Sequence, residues 1–91
     1  ALVLRKIPGP YDDWLICMVS AQLSQELPEF DVVIYENDSD FEQSGLKTSS
    51  VIRISRLAVV SKDILLGSIG SISDERLNLI KNRLSTWIKG T

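Results

Sequence analysis

The chain has 91 residues, enough for one domain (residues 1–91) with a modest core. It has no histidine and one cysteine, which excludes a disulfide within the chain and any nucleophile paired with histidine. No apolar run approaches the roughly 20 residues of a membrane span, and the first residues lack the layout of a signal peptide. We therefore expect a soluble, cytoplasmic protein that makes no membrane contact.

The charge is unevenly distributed, although the net charge is only −2. Residues 1–45 hold two basic and nine acidic side chains, whereas residues 46–91 hold eight basic and three acidic ones. A fold could gather part of the basic set onto one surface suited to nucleic acid, and solvated, scattered charges are the alternative. The candidates for such a surface are Arg5, Lys6, Arg53, Arg56 and Lys62.

The first predicted strand covers residues 1–7, which are apolar at the start and basic at Arg5 and Lys6. Two prolines and a glycine in residues 8–13 predict a turn after it.

Residues 14–22 form the most distinctive stretch, in which six apolar residues are followed by Ser20, Ala21 and Gln22. So short and apolar a run predicts a central strand that is covered on both faces. Side chains at the end of a rigid strand are held more precisely than those on a loop, so Ser20 and Gln22 are the first functional candidates. Cys17 lies inside the run and is expected to be a small buried hydrophobic residue.

The middle of the chain predicts a loop or helical turn over 24–29, a strand over 31–35 and a surface loop over 36–48. One helical turn is expected around Phe41.

Residues 50–60 alternate most clearly, with Ile52 and Ile54 on one face. The apolar positions then change phase, since Leu57 and Val59 follow Arg56. A change of phase requires a bulge or bend, so a break is predicted at residues 55–57, which would re-aim Arg56.

Residues 64–72 predict a further strand that contains Gly67 and Gly70. This glycine spacing is that of the loop with which KH domains clamp RNA backbone. Because the spacing here encloses no basic residue, a bulge or close packing is the favoured interpretation.

A helix is predicted from Ser73, a capping residue followed by two acids, to the Lys89-Gly90 pair at its C-terminal end. Its apolar stripe at helical spacing predicts packing on the sheet or on a partner. The stripe consists of Leu77, Ile80, Leu84, Trp87 and Ile88.

About five short strands and one closing helix predict a small, curved antiparallel sheet or partial barrel. The chain resembles the MazF/PemK family of toxin ribonucleases over nearly its whole length. Residues 1–4 resemble the strand that follows the family's Arg-Pro pair, and residues 16–22 its apolar strand ending in Thr or Ser. Gly45 with residues 50–53 resembles its "Gly, then Ser-Val" strand, and residues 69–75 its "Ile-Gly, hydrophobic, Ser" entry into the last helix.

The resemblance implies a mainly β fold with a C-terminal helix: an SH3-like small barrel of about five short strands, incomplete at its N-terminus. It implies a homodimer that cleaves single-stranded RNA without a metal ion or other cofactor. It also implies a cognate antitoxin peptide as partner, with DNA bound only through the toxin–antitoxin complex.

The resemblance places Ser20 on the family's catalytic Thr or Ser, and a turn-forming residue at a strand end is the alternative. Gln22, Arg56, Arg53 and Lys6 are the predicted RNA-binding residues. For Gln22 the alternative is an exposed loop amide, and for Arg56 a surface salt bridge.

The family's catalytic arginine stands directly before the strand that here starts at Ala1. Loss of such a donor costs about 10²–10³ in rate, so residues 1–91 alone are expected to be a weak or inactive nuclease. Two further functions stay open. One is a catalytically inactive dimer that binds an antitoxin and, with it, operator DNA. The other is a plain SH3-like interaction barrel.

Overall fold

The computed structural model describes residues 1–65 and 70–90. Four antiparallel strands form one sheet in the order β1-β2-β4-β3 and curl into a half-barrel. The strands are β1 (Leu2–Lys6), β2 (Asp13–Ser20), β3 (Val32–Ile34) and β4 (Ser50–Ser61). The helices are the single turn α1 (Phe41–Ser44) and the long C-terminal α2 (Asp74–Lys89). The mainly β fold with a C-terminal helix is confirmed, with four strands in the described residues where about five were predicted.

Helix α2 covers one face of the sheet and forms the core with it. Ile80 and Leu84 of α2 are buried in one cluster with Cys17, Ile52 and Ile54 of β2 and β4. The prediction that β2 is covered on both faces holds at Ile16 and Cys17, which are 5% and 0% exposed, and is wrong at Met18, which is 47% exposed. Successive strand residues point to opposite faces, and α2 lies on only one of them.

Helix α2 begins and ends where the sequence predicts. The Ser73 hydroxyl oxygen accepts the backbone N–H of Arg76 at 3.1 Å, and Gly90 adopts a left-handed conformation with φ 70°. The predicted apolar stripe is only partly covered, since Trp87 and Ile88 are 64% and 66% exposed.

Strand β4 carries the predicted break. Cys17 of β2 lies opposite Leu57, whereas the next residue, Met18, lies opposite Arg53. Residues 54–56 therefore bulge out of the pairing with β2, which confirms the prediction at residues 55–57. The strand continues through the bulge, and Leu57 and Val59 beyond it are 38% and 57% exposed.

Asp31 supports this bulge from the start of β3. Its carboxylate is 1% exposed and accepts the backbone N–H of Ser55 at 2.9 Å and the Ser55 hydroxyl at 3.0 Å. It also accepts the backbone N–H of Leu27 at 2.9 Å. The bulge thus receives a buried acceptor for the donor that the strand ladder leaves unpaired.

The start of α2 is fixed by a second buried carboxylate. Arg76 donates to both carboxylate oxygens of Asp40, at 2.9 and 3.0 Å, and to Asp38 at 2.9 Å. A further bond, from Arg76 Nη1, reaches the carbonyl of Val33 in β3 at 3.0 Å. Arg76 therefore joins the helix, the sheet and the loop between them.

The prediction of a strand over 64–72 is wrong for the residues of this range that the structure describes. Lys62–Ile64 is a 3-10 turn, and residues 65 and 70–72 are not strand. The Ser71 N–H donates to the carbonyl of Gln43, in α1, instead of to a strand ladder. The predicted glycine loop lies outside the described residues except for Gly70. A Cβ on Gly70 would stand 1.8 Å from the Ser44 carbonyl oxygen, so close packing explains this glycine.

Candidate nucleic-acid interface

Ser20 is the last residue of β2, and its hydroxyl is already used locally. Its Oγ accepts the backbone N–H of Gln22 at 3.1 Å and so shapes the turn that follows the strand. A hydroxyl has one proton to donate and two lone pairs to accept with, so this bond leaves the Ser20 O–H able to donate. The turn geometry aligns the hydroxyl without using up its donor.

The pairing of β2 with β4 brings Arg53 to the same sheet face as Ser20. Ser20 lies opposite Val51 and Met18 lies opposite Arg53, so Ser20 and Arg53 form a diagonal pair. Diagonal neighbours are about 7–8 Å apart, within reach of a long side chain. The core residue Ile52 lies between Val51 and Arg53 and points to the opposite face, where α2 packs. Ser20 and Arg53 therefore share the face opposite α2, on which Ile16 and Val51 are buried and Met18 is exposed.

The positive charge of Arg53 has no acidic partner among the residues that the structure describes, 1–65 and 70–90. Arg53 forms no ion pair there, and its Nε is buried without a hydrogen-bond partner. Arg53 as a whole is half-buried, so an anion would meet the exposed part of its guanidinium and not the buried Nε.

Gln22 and Arg56 are both exposed near this end of β2. The amide oxygen of Gln22 accepts Gln25 Nε2 at 3.2 Å, which leaves the Gln22 amide nitrogen directed elsewhere. Arg56 lies in the β4 bulge, opposite the junction of Cys17 and Met18. The bulge thus presents Arg56 within a few residues of the Ser20 and Arg53 pair.

Lys6 lies at the opposite end of the sheet. It is paired with Trp14, six residues before Ser20 along β2, which at about 3.3 Å per residue means about 20 Å. Its ammonium is 4.0 Å from the carboxylate of Asp12, whose backbone carbonyl also accepts the N–H of Lys62. The structure does not bring Lys6 or Lys62 to the Ser20 end.

Two contributors were missed by the sequence analysis. Met18 gives the face an exposed thioether side chain beside Arg53, and it was expected to be buried. Asp31 was treated as an ordinary strand residue, yet it supports the bulge that carries Arg56. The phase change in β4 was the available signal for Asp31, because a bulge leaves a backbone N–H that needs an acceptor.

Other chemistry is limited by what the described residues contain. Residues 1–65 and 70–90 hold no group of three or more potential metal-binding side chains of the histidine, cysteine, aspartate and glutamate types. Cys17 is fully buried, and burial raises the pKa of its thiol to about 11, which keeps it protonated and unreactive. Neither helix of the described part is long and apolar enough to cross a membrane.

Comparison with known families adds to this geometry. A family model described as "PemK-like, MazF-like toxin of type II toxin-antitoxin system" matches residues 1–88, almost the entire chain. A search of curated proteins found no significant match. The match covers all four strands and nearly all of α2, including Ser20 and Arg53. The chain therefore belongs to the PemK-like, MazF-like family of toxins of type II toxin–antitoxin systems.

Proposed function

We propose that this toxin is a cytoplasmic, metal-independent endoribonuclease that binds single-stranded RNA across the Ser20 end of its sheet. The observation that carries the proposal is the diagonal placement of Ser20 and Arg53 on the face opposite α2. The Ser20 hydroxyl retains a proton to donate, and the half-buried Arg53 guanidinium has no ion-pair partner among the described residues. Together they suit one phosphate with two charge-stabilising donors.

The reaction that such a site supports is internal transfer of the RNA phosphate. The ribose 2′-oxygen bonds to the adjacent phosphorus while the bond from phosphorus to the 5′-oxygen breaks. The 2′-hydroxyl loses its proton and the departing 5′-oxygen gains one, leaving a 2′,3′-cyclic phosphate and a 5′-hydroxyl. Negative charge grows on the phosphoryl oxygens, where Ser20 and Arg53 would donate. This chemistry requires neither histidine nor a metal ion.

RNA binding by residues 1–91 tests the site directly. We expect Arg53→Gln to weaken binding of a fluorescent single-stranded RNA about tenfold. The slope of log affinity against log salt concentration should also fall by about one, the value for one lost phosphate contact. Lys62→Gln is the matched control, because it removes one positive charge at the far end of the sheet and should have little effect. Fluorescence anisotropy across a salt series measures both quantities. Equal effects of the two variants would show that RNA is attracted by the overall positive charge and that Arg53 is not part of a specific binding site.

Cleavage is measured separately on the same RNA. Ser20→Ala should lower the rate about 10²–10³-fold relative to the unaltered chain, with RNA affinity nearly unchanged, because the hydroxyl acts mainly as charge builds on the phosphate. Cyclic-phosphate ends are the expected product. An unchanged cleavage rate in Ser20→Ala would show that the Ser20 hydroxyl takes no part in the reaction.

The antitoxin is proposed to bind as an extended acidic segment that competes with RNA for Arg56 and its neighbours. Arg56→Glu is then expected to weaken both RNA and antitoxin about tenfold or more, since it replaces attraction by repulsion. Titration calorimetry with the antitoxin encoded beside the toxin gene measures the second affinity, with Lys62→Glu as control. An unchanged antitoxin affinity would contradict the shared surface.

An alternative function is a catalytically inactive homodimer that binds the antitoxin and, through that complex, operator DNA. It is favoured by the exposed apolar side chains around the C-terminal part of α2, which a second copy could cover: Leu57, Val59, Trp87 and Ile88. The cleavage assay separates the two functions, because only the enzyme leaves cyclic-phosphate ends. Sedimentation of the free chain tests the dimer in either case.

A further inference from the structure

We propose that Arg83 of α2 is a positioning residue for the RNA-binding end of the sheet. Its side chain holds the backbone just before β3, and that segment in turn holds the β4 bulge that carries Arg56. The assignment rests on the proposed RNA function and adds a residue on the helix side of the sheet that itself contacts no RNA. Part of the control of RNA affinity then lies in α2.

Arg83 reaches from the helix to the backbone at the start of β3. Its Nη1 donates to the carbonyl of Asp31 at 2.8 Å and to that of Phe30 at 3.3 Å. The side chain is half-buried and forms no ion pair within residues 1–65 and 70–90. Hydrogen bonds from a charged donor are about twice as strong as neutral ones, so these two contacts fix the backbone at residues 30 and 31.

The segment that Arg83 holds follows a strained turn. Glu29 has φ 69°, in the left-handed region that favours glycine. Pro28 precedes it, and the Phe30 N–H donates to the Leu27 carbonyl at 3.1 Å, as in a type II turn. A side chain in this conformation persists only where the surrounding contacts fix the backbone. The bond from Arg83 to the Phe30 carbonyl, next to Glu29, is such a contact.

The same segment contacts the bulge directly. Extending the pairing of β3 with β4 by one residue sets Asp31 opposite Arg53. The buried Asp31 carboxylate accepts the N–H and the hydroxyl of Ser55, the residue before Arg56. Asp31 thus contacts the helix through its backbone and the bulge through its side chain.

A shift of Asp31 is therefore transmitted to the RNA-binding arginines. The Ser55 N–H depends on the Asp31 carboxylate, because the bulge removes Ser55 from the pairing with β2. Arg56 follows Ser55 directly, so its long side chain moves with the bulge. Without the bonds from Arg83, RNA has to order this segment as it binds, and that cost appears as weaker affinity.

A purely structural role for Arg83 has a different consequence, namely lower stability with unchanged RNA affinity of the folded molecules. Ile80→Val provides the comparison, because it removes one buried methyl group from the same helix and destabilises the core without changing a polar contact. Lys81→Met is the charge control, since it removes one cation from an exposed position two residues from Arg83.

RNA affinity is the first measurement, made on residues 1–91 well below the unfolding temperature of every variant. We expect Arg83→Met to weaken binding of a fluorescent single-stranded RNA about fivefold, with Ile80→Val and Lys81→Met close to the unaltered chain. Arg83→Lys should recover most of the loss, because an ammonium group can donate to the same two carbonyls. Recovery by lysine also keeps the test valid if Arg83→Met folds poorly.

Amide hydrogen exchange followed by NMR tests the route without RNA. The N–H groups of Leu27 and Ser55 both donate to Asp31. In Arg83→Met they should exchange about tenfold faster relative to the amides of the central strand β2. Ile80→Val should not speed them relative to β2. Weaker RNA binding without this faster exchange would overturn the route through Asp31.

Arg53→Gln distinguishes failure of this assignment from failure of the RNA function. If Arg53→Gln weakens RNA binding but Arg83→Met has no effect, or no more than Ile80→Val or Lys81→Met, Arg83 is not a positioning residue and the RNA function stands. Faster exchange at Ser55 with normal RNA affinity would likewise overturn the assignment. If neither Arg53→Gln nor Arg83→Met weakens binding, the RNA function is wrong and the assignment falls with it.

Discussion

Replacing Arg76 by methionine is expected to lower the free energy of unfolding by about 3–5 kcal/mol. The change leaves the Asp40 carboxylate, which is 3% exposed, without the guanidinium that forms two of its hydrogen bonds. Methionine keeps much of the apolar stem of arginine. The loss of unfolding free energy therefore measures removal of the charge and its hydrogen bonds, not loss of packing. Urea unfolding at pH 7 measures the difference.

Lys81→Met is the matched control for this prediction. It removes a cation from an exposed position of the same helix and should change the free energy of unfolding by less than about 0.5 kcal/mol. The double variant Arg76→Met with Asp40→Asn should recover part of the loss, since the buried charge is then gone. A double variant that loses the full sum of both single changes would contradict a coupled pair.

The same ion pair predicts how stability depends on pH. Hydrogen bonding from Arg76 is the main cause that lowers the pKa of Asp40 from 3.8 to about 2. Because the folded-state pKa lies below the ordinary value, the ionised carboxylate stabilises the fold above about pH 4. This contribution, about 2 kcal/mol, is lost as the pH falls from there through about 2. In Arg76→Met the drop over this window should shrink, and an unchanged drop would place its origin elsewhere.

Asp31→Ala is expected to cost about 3 kcal/mol of stability and to weaken RNA binding. The buried carboxylate accepts three hydrogen bonds, and its removal leaves the backbone N–H groups of Leu27 and Ser55 without their acceptor. The β4 bulge then loses the contact that holds it, and Arg56 loses its fixed position. Urea unfolding and RNA anisotropy on the same samples measure the two effects.

Ser55→Ala separates these effects, because it removes only the hydroxyl and keeps the backbone bond to Asp31. We expect a loss of about 1 kcal/mol and nearly normal RNA affinity. Normal RNA affinity in folded Asp31→Ala would show that the bulge does not position Arg56 for RNA.

Features that depend on neighbouring residues could be predicted from the sequence. The bounds of α2 follow from Ser73 and Gly90, since capping bonds join residues three or four apart. The end of β2 at Ser20 follows from the change from apolar to polar residues. The bulge in β4 follows from the phase change after Arg56, because alternation is a property of one strand.

Features that depend on which strands pair could not be predicted. The order β1-β2-β4-β3 sets Arg53 diagonally to Ser20 and leaves Lys6 about 20 Å away, although both cations were expected on one RNA surface. The strand predicted over 64–72 is irregular where it is described, because Ser71 bonds to Gln43 of α1. This tertiary contact with α1 outweighs the local preference of the segment for a strand.

The sequence by itself determined the family, the helix, the bulge and Ser20 as the end of strand β2. Those properties reside in short-range patterns of polarity and capping. Only the tertiary structure decided which basic residues stand beside Ser20, that Asp31 supports the bulge, and that Arg83 of α2 holds the backbone before β3. Each of these depends on side chains that are distant in the chain and meet only when the strands pair and α2 packs on one face.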